Sequence, residues 1–409
     1  MNKHSAPRLR FAGFAGAWEE KKIGDVLTEV CRSISLEDDK KYQLVTVKRR
    51  NEGVVSRGYL FGKDILVKNY RQLKAGDYLI SKRQIIHGAN GLVPSELDNA
   101  IVSNEYLVAI SNDDLSTEFL ALLSRTPEMY RKFLLSSYGV DIEKMVFNVE
   151  DWKTRSINLP TKPEQTALGD FFRRLDETLA QERARLAKTQ QLKRAMLAKL
   201  FPAHGETAPK LRFKGFSGDW ERKMLGDLGH CVSGVGFPER EQGGSDGIPF
   251  FKVSDMNLSD NEVVLKKANH YVTETQIAER KWQPIEQLPC IFFAKVGAAL
   301  LLNRKRLVNQ PFLLDNNTMA FIMNNGLNDY FIKTLFDTIE LPELAQTGAL
   351  PSINAKDVEN VSVLIPPTSE EQTAIGNFFQ KLDQTLALQS AALEKLTALK
   401  KALLAAMLV

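Results

Sequence analysis

Residues 164–180 read EQTALGDFFRRLDETLA, and residues 371–387, 207 positions later, read EQTAIGNFFQKLDQTLA. A second echo precedes each copy. Residues 7–26, PRLRFAGFAGAWEEKKIGDV, return at 209–228 as PKLRFKGFSGDWERKMLGDL, with 12 of 20 positions identical. The helical phrase itself extends over residues 160–201 against 367–408, with 22 of 42 identical. Self-similarity of this kind marks a duplicated architecture. Each half therefore has a lead-in, a middle of roughly 130 residues and a long tail. The middles, roughly residues 27–159 and 229–366, do not align.

The tails read as helices. Pro163 sits at a helix start with Glu164 in the first turn. Apolar residues then recur three or four apart, at Leu168, Phe172, Leu175, Leu179, Leu186, Met196 and Leu200. The second tail repeats the register with Ile375, Phe379, Leu382, Leu386, Leu393, Leu396, Leu403 and Met407. Polar residues interrupt this heptad seam at Glu182, Thr189, Lys193, Gln389 and Lys400. A helix of about 37 residues is about 55 Å long, and its apolar stripe must be covered. The simplest cover is the other copy. The expectation is an antiparallel coiled coil with an internal pseudo-twofold repeat, and the linker FPAHGETAPK at residues 201–210 ends the first helix.

The middles predict mixed α/β (α+β) domains. YQLVTVKRRNEGVVSRGYLF, DYLISKR and AIVSNEYLVAI are β-rich, and TEFLALLSRTPEMYRKFLLSS reads as a helical stretch. In the second half, IPFFKVSDM, PCIFFAKVGAALLLN and TMAFIMNN read as strands and NDYFIKTLFDTIELPEL as a helix. The predicted boundaries are 1–159, 160–201, 202–366 and 367–409.

Composition narrows the function. The 409 residues are 44% hydrophobic and 25% charged, as in a soluble globular protein of two to three domains. No apolar run approaches 18 residues, and MNKHSAPRLRF lacks the apolar core of a secretory signal. The expected compartment is the cytoplasm, with no membrane contact. Cys31, Cys231 and Cys290 form no CxxC pair, and the five histidines have no ligand spacing. Walker, GxGxxG, HExxH and base-methylation motifs are absent from the sequence. The chain reads as a binding and scaffolding protein without a catalytic or metal centre. The rival readings are an enzyme with an unrecognised site, which would turn over alone, and a coiled-coil adaptor, which would not bind DNA.

Charge is unevenly placed. Residues 40–83 hold 12 Lys/Arg against three Asp/Glu, whereas residues 96–151 hold four against eleven. The second half repeats the contrast, with eight against three in 266–306 and two against seven in 307–360. A basic β surface binds polyanions through counterion release. The candidate DNA contacts are Lys48, Arg49, Arg50, Arg57, Lys82 and Arg83 in the first middle, with His87 in the loop QIIHGANG as a contact residue. In the second middle they are Lys295, Arg304, Lys305, Arg306, Asn309 and Gln310. Arg and Lys suit guanine edges, Asn and Gln suit adenine.

These features together resemble the specificity subunit of type I restriction-modification systems. The resemblance rests on the W…GD lead-ins at residues 18–25 and 220–227, on GIPFFKVSDM, on LISKRQIIHGANGLVP…AIVSNEY, and on the LP or IPP segment before EQ and its LD…L helix in both copies. It implies two target recognition domains, each reading one half of a bipartite double-stranded DNA site, and helices that set the spacer between half-sites. It also implies docking of two methyltransferase subunits, which bind S-adenosylmethionine and hold ATP- and magnesium-dependent motor-nuclease subunits. The chain itself would carry no cofactor. Exposed positions repeated on the helices, Arg173, Arg174 and Glu177 with their counterparts Gln380, Lys381 and Gln384, are the candidate partner contacts.

Overall fold

The computed structural model of the chain describes residues 6–66, 69–346 and 350–408. The chain divides into two compact units. Unit 1 comprises Met1–Gln181 with Glu394–Val409, and unit 2 comprises Glu182–Leu393. Each unit contains the start of one long helix and the end of the other.

In unit 1, strand β1 (Glu19–Lys22) leads through one helical turn into β2 (Leu27–Glu29). The hairpin β3 (Lys41–Lys48) and β4 (Gly53–Phe61) follows, then β5 (Tyr78–Ser81), β6 (Asn90–Leu92) and β7 (Tyr106–Ser111). Helices α1 (Thr117–Leu123) and α2 (Pro127–Leu135) come next, and β8 (Ser156–Leu159) feeds the long helix α3 (Lys162–Leu200). β2, β7, β5 and β6 form an antiparallel sheet in that order. The hairpin belongs to a second, five-stranded sheet with Ser33–Ile34, Tyr70–Gln72 and Ile101–Ser103.

Unit 2 repeats the plan. β9 (Glu221–Met224) leads to β10 (Gly229–Ser233), then β11 (Cys290–Ala294), β12 (Lys305–Val308) and β13 (Thr318–Met323). Helix α4 (Asp329–Asp337) and β14 (Ser362–Ile365) precede the second long helix, α5 (Ser369–Met407). The sheet order β10, β13, β11, β12 matches unit 1 strand for strand. The other large sheets differ: unit 2 has three strands, Ile248–Phe251, Tyr271–Val272 and Leu313–Leu314, against five in unit 1.

The repeated phrases are two halves of one joint. β1 pairs with β8 (Glu19 opposite Leu159), and β9 pairs with β14 (Glu221 opposite Ile365), so each lead-in lies beside the strand that enters a tail helix. Arg10 of the first lead-in grips Glu164 of EQ with two hydrogen bonds of 2.8 and 2.5 Å, and Arg212 grips Glu371 with two of 2.7 Å. Such forked pairs fix geometry as well as energy. The next aromatic residues also meet: Phe11 packs on Phe171 and Phe213 on Phe378, with centroids 5.5 and 5.8 Å apart. Gln165 completes the first joint, donating to the carbonyls of Asp114 and Pro160 and accepting from the Ser116 amide. Phe172 and Phe379 of the recurring phrase enter the cores of their units.

Three sequence expectations are corrected. The helical stretch at 117–137 is two helices, because Pro127 lacks an amide proton and disfavours helix in the residue before it. Thr126 instead caps α2, accepting from the Met129 amide at 3.2 Å. The strand expected over 289–303 ends at Ala294; Gly297, at φ 74°, turns the chain into a short helix, Ala298–Leu301. The helix expected through 344 stops at Asp337, and Pro342 sits in a separate turn, Leu341–Leu344.

Two of the polar interruptions in the seam, Lys193 and Lys400, are paired within their own units. In unit 1, Lys400 near the end of α5 bonds Asp176 on α3, which also accepts from Arg125 at 2.7 Å. In unit 2, Lys193 near the end of α3 bonds Asp383 on α5 at 2.6 Å. Asp383 also accepts from the Tyr330 hydroxyl at 2.8 Å and Lys333 at 3.3 Å, and Lys333 reaches Asp337 at 2.6 Å. Burial works against the charge on Asp383, but Lys333 and Lys193 outweigh it and hold the carboxyl below its usual range.

Candidate nucleic-acid interface and partner face

The hairpin turn between β3 and β4 carries Lys48, Arg49 and Arg50 into solvent. Arg50 and Asn51 take left-handed backbone conformations, φ 61° and 56°, which close the turn tightly. The turn is strapped to the loop that follows β5. The Arg50 amide donates to the His87 carbonyl at 2.6 Å and the Asn51 amide to the Gly88 carbonyl at 2.8 Å. Asn90 adds a side-chain bond to Asn51 at 2.9 Å. Gly88 is required here: its φ is +74°, and a Cβ would lie 3.1 Å from the Asn51 amide nitrogen.

This strapping brings Arg49, Arg50 and His87 to one place. Arg49 bonds Glu143 at 3.0 Å, and the His87 Nε2 lies 3.3 Å from the same carboxylate. Lys82 and Arg83 open the same loop; Lys82 donates to the Asn104 carbonyl and exposed Arg83 pairs with Glu105 at 2.7 Å. Arg57 stands apart along β4. Leu44 pairs with Gly58 and Val45 with Ser56, so Arg57 is the unpaired residue of a β-bulge and its side chain is exposed. Bulges re-aim side chains, and this one presents a cation on an edge strand. Asn51 and Glu143 were not among the sequence candidates; only the adjacency of Asn51 to the RR pair in RRNEG hinted at the first.

The second cluster is largely engaged in holding its own fold. Lys305 is corrected: it is 4% exposed, and its ammonium bonds Asn303 at 2.6 Å and the Ile339 carbonyl at 2.7 Å. Burial pushes this ammonium down to about 8. Arg306 is half-buried, bonding the Asn261 carbonyl at 2.6 Å, and burial lowers its guanidinium too. Arg304 bonds Asn257, and Gln310 donates to the Lys266 carbonyl at 3.0 Å. Lys295 is half-buried and Asn309 is exposed. The unit 1 candidates other than Arg57 thus gather around the exposed hairpin turn, with Lys82 and His87 half-buried, and those of unit 2 are a dispersed set.

On the long helices, Arg173, Arg174, Glu177, Gln380, Lys381 and Gln384 are all exposed. Arg173 is held along the helix by Asp170 at 3.0 Å and Glu177 at 2.8 Å. Among the described residues no group of three or more His, Cys, Asp or Glu could hold a metal ion, and no helix is long and apolar enough to cross a membrane.

Comparison with known proteins agrees with this frame. The type I restriction modification DNA specificity domain matches residues 16–191 and again 217–398. The specificity subunit of the type I restriction enzyme HindI from Haemophilus influenzae is 22% identical over 365 residues, covering 72% of this chain and 78% of that one. Among solved structures, the S subunit of a type I restriction-modification system from M. genitalium superposes with a TM-score of 0.66 at 15% identity, over 99% of both chains. A chain from a type I system solved for its complex assembly and conformational transition gives 0.54 at 18% identity, over 95% of this chain and 96% of that one. With one specificity domain in each half, the chain belongs to the type I restriction-modification DNA specificity family and is a specificity subunit.

Proposed function

We propose that each middle reads one half of an asymmetric bipartite DNA site, and that the two long helices set the unread gap. The observation that carries the reading is the contrast within the duplication. The joint, the sheet order and the tail helix recur, while the surfaces mounted on them differ, as unlike half-sites require. In unit 1 the DNA-facing element is the hairpin turn at Arg49 and Arg50 with His87, Lys82, Arg83 and Arg57. In unit 2 it draws on Lys295, Arg304, Asn309 and Gln310. Cations in these places neutralise phosphates, and turns that insert into a groove read base edges.

The chain supplies recognition and no chemistry. Two adenine methyltransferase subunits dock on the repeated helix faces, contacting Arg173, Arg174 and Glu177 in one copy and Gln380, Lys381 and Gln384 in the other. S-adenosylmethionine, ATP and magnesium are held by those subunits and by the motor-nuclease subunits attached through them. Each long helix has 39 residues, or about 58 Å at 1.5 Å per residue, which suits half-sites roughly one to one and a half turns apart.

The test is to co-express the chain with its methyltransferase subunit and map modified adenines across the host genome. The expected result is modification at two short sequences separated by a fixed gap. Replacing residues 27–159 with another middle changes one half-site only. A soluble, cofactor-binding complex that modifies nothing refutes the reading.

A further inference from the structure

The two units fill matching space differently. α1 and α4 occupy the same place in their units. Each is capped by a side chain, Ser116 or Asn328, that accepts from the amide three residues on. Each sets a phenylalanine against the lead-in tryptophan: Phe119 on Trp18 and Phe331 on Trp220, with centroids 5.8 and 6.2 Å apart. In that register Glu118 stands where unit 2 has Tyr330, and Ala121 where it has Lys333. Tyr330 and Lys333 are buried and reach across to Asp383. α4 also lies hard against α5, since a Cβ on Gly376 would fall 2.2 Å from the Asn328 side chain. The corresponding Gly169 in unit 1 meets nothing nearer than 3.7 Å.

The short residues of α1 leave a cleft of about 690 Å³ between it and the first turns of α3. Its floor is apolar, formed by Leu92, Ala121, Leu122 and Phe172. Its walls carry the carboxylates of Glu118, Asp170, Asp176 and Glu177, with Arg125 and Arg173 among them. Against these four carboxylates stand three cations, Lys162, Arg125 and Arg173, so the rim lacks the positive excess that holds a nucleic-acid backbone. An apolar floor under a rim of both signs is the make-up of a protein-binding surface.

We infer that this cleft receives a polypeptide segment of the methyltransferase subunit, and that unit 1 offers a docking pocket that unit 2 does not. The inference rests on the partner reading above and is continuous with it, because Arg173 and Glu177 of the proposed partner face line the cleft. The two docking places are then unequal in affinity despite the repeated helix.

The test uses the full chain co-expressed with the methyltransferase subunit, with bound subunits counted by native mass spectrometry and affinities measured by titration. Ala121→Trp plugs the floor, and Thr166→Trp, at an exposed helix position lining the cleft, plugs the rim should the first variant fold poorly. Thr373→Trp, at the matching exposed position of α5, is the control. Wild type and Thr373→Trp carry two subunits; the unit 1 variants lose one, its affinity falling at least tenfold, with unchanged unfolding temperature. Two subunits retained by both plugged variants within twofold in affinity, or an equal loss in Thr373→Trp, overturns the inference. A wild-type chain that captures no methyltransferase subunit overturns the partner reading itself.

Discussion

Replacing Asp383 with Asn removes one charge from the helix seam of unit 2 without changing its shape. Asp383 is 3% exposed and accepts from Lys193, Tyr330 and Lys333, and Lys333 is itself 4% exposed. The variant leaves two ammonium groups facing the single carboxylate of Asp337. Breaking a buried ion pair by removing one partner costs about 3–5 kcal/mol. At about 2–4 °C per kcal/mol for a unit of this size, the unfolding temperature falls by roughly 6–20 °C. Asp176→Asn makes the matching change in unit 1, where the side chain is 35% exposed and water screens the loss; about 0.5–1.5 kcal/mol is expected there. Thermal unfolding followed by circular dichroism measures both. A pH series adds a second reading. A carboxyl held below its ordinary 3.8 contributes stability above that value and loses it as pH falls through the lower folded value. Below pH 4 wild type therefore approaches Asp383→Asn. An Asp383→Asn loss under about 1 kcal/mol, or one equal to that of Asp176→Asn, would show that the network is not desolvated and refute the argument.

Two further substitutions follow from the same contacts. Gly376→Ala drives a methyl into the Asn328 cap of α4 and should lower stability by about 1–3 kcal/mol through lost capping and overpacking. Gly169→Ala meets only van der Waals contact and should raise stability by up to about 1 kcal/mol, the ordinary gain of alanine in a helix. Denaturant titration distinguishes the signs. Arg50→Ala should weaken binding of the assembled complex to all duplexes and lower the slope of log K against log salt by about one if Arg50 meets a phosphate; loss confined to one half-site sequence would mean that it reads a base.

The sequence showed the duplication, the long helices and half of the strands in the two matching four-stranded sheets, because these follow from local periodicity and direct identity. It did not show what the duplicated phrases do. Arg10 and Glu164 are 154 residues apart, and only the pairing of β1 with β8 closes that distance. Lys305 shows the limit of charge runs as a guide to surfaces. The triplet Arg304–Lys305–Arg306 looks uniformly solvated, yet pairing of β12 beside β11 turns its middle member towards the Ile339 carbonyl. Lys193 and Lys400 read as flaws in a heptad until their aspartates are located across the fold. The hairpin turn was legible as basic, but its anchoring to His87 and Gly88 depends on a loop 37 residues on, which no local pattern encodes.

The composition of the two units has a consequence for synthesis. Everything in unit 2 lies in one stretch, residues 182–393, whereas unit 1 needs residues 394–409 as well. Met407 and Leu408 sit in the same core as Leu168 and Phe172. On the ribosome, domains ordinarily complete themselves in the order they emerge. Here the order is reversed: the half made first waits with an open core until the final helical turns arrive, and the half made second closes before it.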